Sequence, residues 1–435
     1  MFNKIKFTNY FILTLLILSS GSVLNILGIN HFIQILVFTL ITAIAFVNGI
    51  LWKKECLATL LLLLFGTLIV FFIQATTSGN FSDFYNNNNI SFLLLLSTCV
   101  LVCFYFYSKL SFLVCLNSIL FVFVLHGIFS AVLLSIFPTG HVLFSEVMSG
   151  NGLNKYGTKF VGYFFLFFQR VHFDYLGNLD PYYVDYFGFY LQRAHGLAWE
   201  PGNFSAYTNI FIFLNLFIFK NRRNVVLGCI GILASWSTAG MFVMLVQISY
   251  YLIANINKFR LKYILPKLLI IGFVGSFLII GFSENFYNKL YGERQGSGAV
   301  RVVNTLVTLK TIVNNPWIGT GLYYDRYMSV LSSSLQISKS TTEEHINSSS
   351  VKHASSTNSF LRLYVQFGIP LGLLFTIALF KQTLVPDKKY LFAIIIILSV
   401  SSSPLMMTPF FFLFIVSGLL NMIGFRNNNS YKIVQ

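Results

Sequence analysis

The chain has 435 residues, 56% of them hydrophobic and only 10% charged, with a formal net charge of +16. Soluble domains carry about 25% charged residues, so this composition excludes an ordinary soluble enzyme and marks a membrane protein with several spans. The basic excess is first a topology signal, which removes the main ground for expecting a nucleic-acid partner.

The apolar runs predict twelve spans, near 11–28, 32–52, 57–75, 90–107, 111–137, 204–219, 225–237, 239–256, 268–283, 359–380, 390–404 and 408–425. The expected fold class is an all-α polytopic membrane protein of about twelve transmembrane helices with two long extracytoplasmic loops. Five segments follow: membrane helices over 1–137, a first loop over 138–203, membrane helices with a short broken pair over 204–283, a second loop over 284–358, and membrane helices over 359–435. The first run follows Lys4 and Lys6 and imitates a signal peptide around Ser19-Ser20-Gly21-Ser22. Eleven further spans favour an uncleaved first helix. With both termini in the cytoplasm, 17 of the 29 basic residues fall on the inner side, and every short inner connection is basic. The short outer connections hold no Lys or Arg, as the positive-inside rule requires. Both long loops then lie outside a plasma membrane, and binding or catalysis is expected there. The five cysteines lie in or beside apolar runs, so no disulfide framework is indicated.

Loop 138–203 carries 17 aromatic residues, including "YFFLFF" and "YYVDYFGFY". They suit an interfacial aromatic belt lying on membrane lipids, and equally flat faces on which sugar rings or a polyprenyl chain pack. The loop ends in "LQRAHGLAWEPGNFSAY" (191–207), a polar cluster at the start of a span. Arg193 and Glu200 can pair with each other. Alternatively Arg193, a bidentate cation beside the positive end of the helix starting near Phe204, forms a phosphate or diphosphate site. Asn203 or Ser205 is the expected cap, with Pro201 barring the helix from extending upward. Glu200 and His195 are the candidates for moving a proton, or each holds a structural hydrogen bond. Trp199 belongs to the same cluster as a candidate substrate contact, and Gly196 and Gly202 mark close approach or unusual backbone.

Residues 224–257 are bounded by basic segments yet are short for two full crossings. Two short helices meeting at "SWSTAG" (235–240), or a re-entrant hairpin, are expected. In the second loop, apolar positions 299, 302, 303, 306, 309, 312 and 313 fit an amphipathic helix on the membrane surface, closed by Asn314-Asn315-Pro316 and bent at Gly319 and Gly321. Arg301, away from the solvent-facing Lys310, is either solvated among headgroups or a second phosphate contact. A Ser/Thr/Asn-rich tract fills 332–358. The span after it opens at Asn358 or Ser359 as cap, with Arg362 close by and a kink expected at Gly368-Ile369-Pro370. No HExxH, DxD, Cys/His cluster or Walker A motif occurs, so neither a metal nor a cofactor is indicated.

Three elements together resemble the O-antigen polymerase and ligase superfamily of bacterial polysaccharide assembly: "RAHGLAWEPGNFSAY", "GAVRVVNTLVTLKTIVNNPWIGTG" and "TNSFLRLYVQFGIPLG". "SWSTAG" matches more loosely. The resemblance covers roughly residues 190 to 380. It departs from the ligases at Thr357, where many members carry His directly before the Asn, and at Thr238, where many carry Arg. The balance therefore tilts toward polymerase. The resemblance implies a membrane glycosyltransferase similar to the GT-C type, without a metal, in a bacterial inner membrane. Its implied donor is an oligosaccharide on undecaprenyl diphosphate, and its implied partners include a chain-length regulator protein. A lipid-linked sugar flippase is the non-enzymatic rival, and the scarcity of charge within the spans argues against it.

Overall fold

The structure, a computed structural model, describes residues 7–22, 30–79, 84–106, 109–136, 142–143, 159–163, 167–173, 179–180, 183–186, 189–198, 200–254, 295–322 and 358–424. Five helices open the chain: α1 (Phe7–Leu18), α2 (Asn30–Val47), α3 (Lys54–Ser78), α4 (Asn87–Tyr105) and α5 (Lys109–Ile136). After a run of strands come α6 (Pro201–Phe213), which passes into a π-helical turn over Leu214–Ile218, then α7 (Arg222–Ser235) and α8 (Thr238–Ala254). The second loop contributes α9 (Gln295–Asn314), and the chain closes with α10 (Ser359–Lys381), α11 (Lys389–Val400) and α12 (Pro409–Met422). Eleven of the expected spans overlap one of these helices. The twelfth, 268–283, lies outside the described residues, as do the tract 332–357 and Trp199. Among the described residues, four helices can cross a bilayer by length and composition, within α3, α4, α5 and α10, and five further apolar helices are shorter.

The expectation of an all-α chain is corrected by the first loop. Strands β1 (Val142–Leu143), β2 (Lys159–Tyr163), β3 (Phe167–Phe173) and β4 (Leu179–Asp180) form an antiparallel sheet in sequence order. Strands β5 (Tyr183–Tyr186) and β6 (Phe189–Gln192) form a separate antiparallel pair, with Asp185 opposite Tyr190. Aromatic and β-branched residues in short runs broken by Gly and Asn are strand formers. The aromatic richness was therefore as much a strand signal as a belt signal. The end of β6 is tied to the bundle, because the Gln192 amide donates to Ser135 Oγ of α5 at 2.8 Å.

Helix α6 is the axis of the bundle. Every residue in it except Gly202 is buried, although it carries Asn203, Ser205, Thr208 and Asn209. Side chains buried among helices need hydrogen-bond partners, and here neighbouring helices supply them. Gln247 of α8 donates to Asn209 Oδ1 at 3.0 Å, and Asn209 Nδ2 donates to the carbonyls of Ser205 and Gly240 at 2.9 and 3.1 Å. In the π turn, Asn215 donates to Asn117 of α5 at 2.7 Å and accepts from Asn224 of α7 at 3.0 Å. Neutral amides, with no charge to desolvate, hold four helices together. Lipid tails are as apolar as Phe, so packing and such bonds drive helix association in a bilayer. The packing is supplied by an aromatic cluster in which Phe92 of α4 meets Phe367 of α10 and Phe412 of α12 at ring-centroid distances of 5.1 and 5.4 Å.

Two joints position the functional end. At the first, the tail of α1 is woven into the core. Tyr207 Oη donates to the Ser20 carbonyl, Asn203 Nδ2 donates to the Gly21 carbonyl at 3.3 Å, and Ser20 Oγ accepts from the Phe410 amide at 2.9 Å. "SSGS" thus reads as a structural knot, with Gly21 at φ 78° and a β-carbon there only 2.9 Å from Asn203 Nδ2. At the second, α10 breaks at Gly368 (φ 77°, ψ 174°), just before Pro370, as expected. A broken helix leaves carbonyls without intrahelical donors. "PWIGTG" fills the gap: Thr320 N donates to the Val365 carbonyl at 2.7 Å and Gly321 N to the Gln366 carbonyl at 3.1 Å, while Ile369 N donates back to Pro316 at 2.7 Å. Gln74 of α3 clips both strands of the joint, donating to the Ile318 and Gln366 carbonyls at 2.8 Å each.

Candidate functional site

The first turns of α2, α4, α6, α10 and α12 meet at one end of the bundle, together with the tail of α1. They enclose a cavity of about 370 Å³. Arg362 lines it, one turn before Gln366 on α10, with Asn203 of α6, Asn88 of α4 and Gln34 of α2 around it. The positive ends of these helices point toward it, an arrangement that favours anions. Asn358 caps α10 as expected, its Oδ1 accepting from the Leu361 amide at 3.1 Å. Ser359 behind it donates to the Val400 and Ser403 carbonyls at 3.0 and 2.7 Å, locking that turn to the α11–α12 connection.

Helix α6 starts earlier than expected. Its cap is Glu200, in extended backbone (φ −149°, ψ 160°), and Pro201 is the first helical residue. Proline at that position forfeits an amide that has no intrahelical partner anyway, and its fixed φ suits the helix. Asn203 and Ser205, the expected caps, lie inside the helix. Asn203 is turned to Gly21, and Ser205 Oγ donates to the Gly202 carbonyl at 2.7 Å and to Ser237 Oγ at 3.2 Å. Gly202 is a close-approach position, since a β-carbon there would lie 3.1 Å from Ser403 Oγ and 3.4 Å from Glu200 Oε1. The Glu200 carboxylate thus sits at the head of α6, three residues from Asn203 in the cavity wall.

Arg193 has a different setting from the one its sequence suggested. Nε donates to the Ser235 carbonyl at 3.0 Å and Nη2 to the Trp236 carbonyl at 3.2 Å. The guanidinium therefore closes the C-terminus of α7, where carbonyls lack helical donors and a cation is favoured. The broken pair expected at "SWSTAG" is observed, with Trp236 in the left-handed region (φ 49°, ψ 34°) between α7 and α8. Ser237 then caps α8, its Oγ accepting from the Gly240 amide at 3.3 Å. Arg193 clasps this break while Ser205 and Ser237 join it to α6, so the break, the Arg193 turn and the head of α6 form one unit.

His195 is buried, and its Nδ1 lies 3.0 Å from the Ala198 carbonyl, inside a turn closed by the Ala198 amide to the His195 carbonyl at 2.8 Å. That contact fits the structural hydrogen bond, one of the two roles left open by the sequence. Gly196 (φ 49°) presses on α5, where a β-carbon would lie 2.7 Å from His126 Nδ1 and 2.8 Å from Gly127 Cα. His126 of α5 is thus part of the floor beneath this turn. Arg301 lies in α9, two helical turns before Thr308. The face of α9 holding Val307, Thr308, Thr311 and Ile312 is buried, and Leu306, Leu309 and Val313 are exposed. Among the described positions of the apolar stripe, Leu306, Leu309 and Val313 face outward and Ile312 inward, with the threonines facing the protein. Sequence reasoning missed Gln34 and Gln366. Each is a lone polar residue in an apolar run, and only the count of polar residues near the span starts could have drawn attention to them.

A family model described as O-Antigen ligase matches residues 224–376. The match supports the O-antigen ligase and polymerase superfamily for this chain. No curated protein and no solved structure matches it. The matched stretch takes in the broken α7–α8 pair, α9, the "PWIGTG" joint and α10 beyond its kink. Over that stretch the chain is similar to membrane enzymes of the O-antigen ligase type. Arg193 and Glu200 lie ahead of the matched stretch, and Arg193 reaches it through its bonds to Ser235 and Trp236.

Proposed function

We propose that the chain polymerises lipid-linked oligosaccharide repeat units at the extracytoplasmic face, for an O-antigen, a capsule or an exopolysaccharide. The observation that carries the reading is the meeting of Arg362, several helix heads and the Glu200 end of α6 around one cavity. Glycosyl transfer from undecaprenyl diphosphate needs three things there. Stabilised negative charge is needed on the leaving diphosphate, and Arg362, the helix heads and Arg301 are the proposed sources. A proton acceptor is needed for the attacking hydroxyl, and Glu200 is the proposed base, with the more deeply tied His195 second. An apolar surface is needed for the lipid, and the exposed face of α3, with Leu61, Phe65 and Phe72, offers one.

In this scheme the acceptor sugar hydroxyl attacks the anomeric carbon of the donor glycan. A new carbon–oxygen bond forms as the bond to the diphosphate oxygen breaks. The electron pair leaves with undecaprenyl diphosphate, and the hydroxyl proton passes to the Glu200 carboxylate. Asn358 orders the head of α10 so that Arg362 enters the cavity, Gly202 lets the head of α6 approach Ser403, and Arg193 holds the neighbouring break. Trp199 is a proposed sugar-stacking residue of the same loop. The outer placement of this end rests on the basic inner connections.

The ligase reading has its own support in the family description over 224–376. Thr357 in place of a histidine before Asn358 weighs against it. Reconstitution in proteoliposomes with an undecaprenyl-diphosphate-linked repeat unit tests the choice. Polymerisation predicts carrier diphosphate release together with products two, three and more units long. Release without elongation overturns it.

A further inference from the structure

The end of the bundle opposite the cavity is strongly basic. Lys220, Arg222 and Arg223 lie where α6 passes into α7, and Lys381, Lys388 and Lys389 where α10 passes into α11, with Asp387 as the acid among them. Aromatic rings bring the two places together. Phe217 of the π turn lies 5.9 Å from Tyr250 and 6.1 Å from Tyr251, near the end of α8. Lys388 Nζ stands 5.7 Å over the Tyr250 ring. Lys389 Nζ stands 5.0 Å over Tyr390, whose ring meets Phe380 of α10 at 6.4 Å.

Among the described residues, none of these six basic side chains has a hydrogen bond or an ion pair. A carboxylate would cancel the charge of a lysine. A ring face fixes the ammonium and leaves its charge uncancelled. Lys220 and Lys388 also sit in the left-handed region, at φ 55° and 52°. A residue with a side chain stays there only where its surroundings hold it. The cations are therefore placed, not merely present to mark topology.

Apolar surface begins beside them. Val226 and Ile230 of α7, Ile253 of α8 and Ile394 of α11 are exposed within about two helical turns of the cations or of Tyr250. Fixed positive charge bordering exposed apolar helix faces suits one chemistry, an anionic headgroup carried on hydrocarbon chains. A free phosphate has no use for the apolar faces, and an acidic soluble protein does not reach them. We propose that this end of the bundle is a binding site for an anionic glycerophospholipid, its headgroup held by Lys388 and Lys389 on their tyrosines and by Lys220, Arg222 and Arg223. The site is separate from the cavity and does not rest on the polymerase reading.

The test adds dioleoyl phosphatidylglycerol or dioleoyl phosphatidylcholine, in rising amounts, to the full chain in detergent. Native mass spectrometry counts the lipids retained. Phosphatidylglycerol is expected to bind about tenfold more tightly or better. Lys388→Gln combined with Lys389→Gln should weaken it about thirtyfold, the effect of two charges at a membrane surface. Tyr250→Leu keeps every charge and should weaken it about threefold, because Lys388 loses its ring. Lys53→Gln combined with Lys54→Gln, at two exposed lysines by the start of α3, should leave binding unchanged. The melting midpoint without added lipid reads the fold separately, and it should be unchanged in the Lys388/Lys389 variant, whose lysines make no ion pair. Equal retention of the two lipids, or an equal loss in the Lys53/Lys54 variant, overturns the site. Displacement of phosphatidylglycerol by inorganic phosphate or by a polyglutamate peptide also overturns it, and would assign the cations to a free anion or to an acidic protein.

Discussion

Gly319 and Gly368 face each other across the joint between "PWIGTG" and α10. A β-carbon on Gly319 would lie 2.6 Å from the Gly368 nitrogen, and one on Gly368 would lie 2.8 Å from the Ile318 nitrogen. Both residues have φ above 70°. The two motifs that carry the family resemblance in the second half of the chain are therefore one structural unit. Each glycine is required by backbone conformation and by contact at once.

Replacing either glycine by alanine should cost about 1–2 kcal/mol for the left-handed backbone and a further 1–3 kcal/mol for overpacking. Gly368→Ala is expected to lower the thermal midpoint in detergent and the membrane yield. An unchanged midpoint would mean that the joint is loose and that the motif glycines serve something other than packing.

The buried amide ladder should matter less. Gln247→Leu leaves Asn209 Oδ1 without its partner at the centre of the bundle. Hydrogen bonds between membrane helices average about 0.6 kcal/mol and reach about 1.7 kcal/mol. A smaller drop in midpoint than for Gly368→Ala is expected in the same assay, with glycan length unaffected. Loss of function without loss of stability would assign the ladder an active role.

Much of this arrangement is legible in the sequence, and the limits have physical causes. Apolar period places most helices, because a bilayer leaves few alternatives for satisfying the backbone. The Asn358 cap and the Gly368 kink are local effects and are read correctly. The starting residue of α6 is missed by three positions, because Asn203 and Ser205 are good caps whose side chains are claimed by Gly21 and Ser237 instead. The bonds of Arg193 to the end of α7 are not legible, since nothing near it in sequence reveals that this terminus, 42 residues later, folds back on it. The strands of the first loop are hidden by their aromatic content, which a membrane surface also attracts.

Arg193 separates positioning from charge. Its two donors meet two adjacent carbonyls in a fork that lysine cannot reproduce. Arg193→Lys keeps the charge and should still shorten the glycan ladder markedly, as Arg193→Ala does, with the protein present in the membrane. A full ladder in Arg193→Lys would show that charge alone suffices.

Glu200 and Arg301 test the chemistry. Glu200→Gln keeps the shape of the α6 cap and removes the base, so transfer should slow about 100-fold or more with little change in melting temperature. Arg301→Ala should abolish long chains at normal protein levels. Wild-type rates in Glu200→Gln would reduce Glu200 to a helix-entry residue, and a normal ladder in Arg301→Ala would leave that arginine among the headgroups.

The central claim is repeat-unit polymerisation, and a glycan size ladder from a deletion strain tests it most directly. Loss of the protein should leave single repeat units on the cell surface, and the full chain should restore the ladder where Glu200→Gln does not. Long glycans accumulating on the carrier lipid in the deletion strain would contradict the claim and assign the protein to ligation.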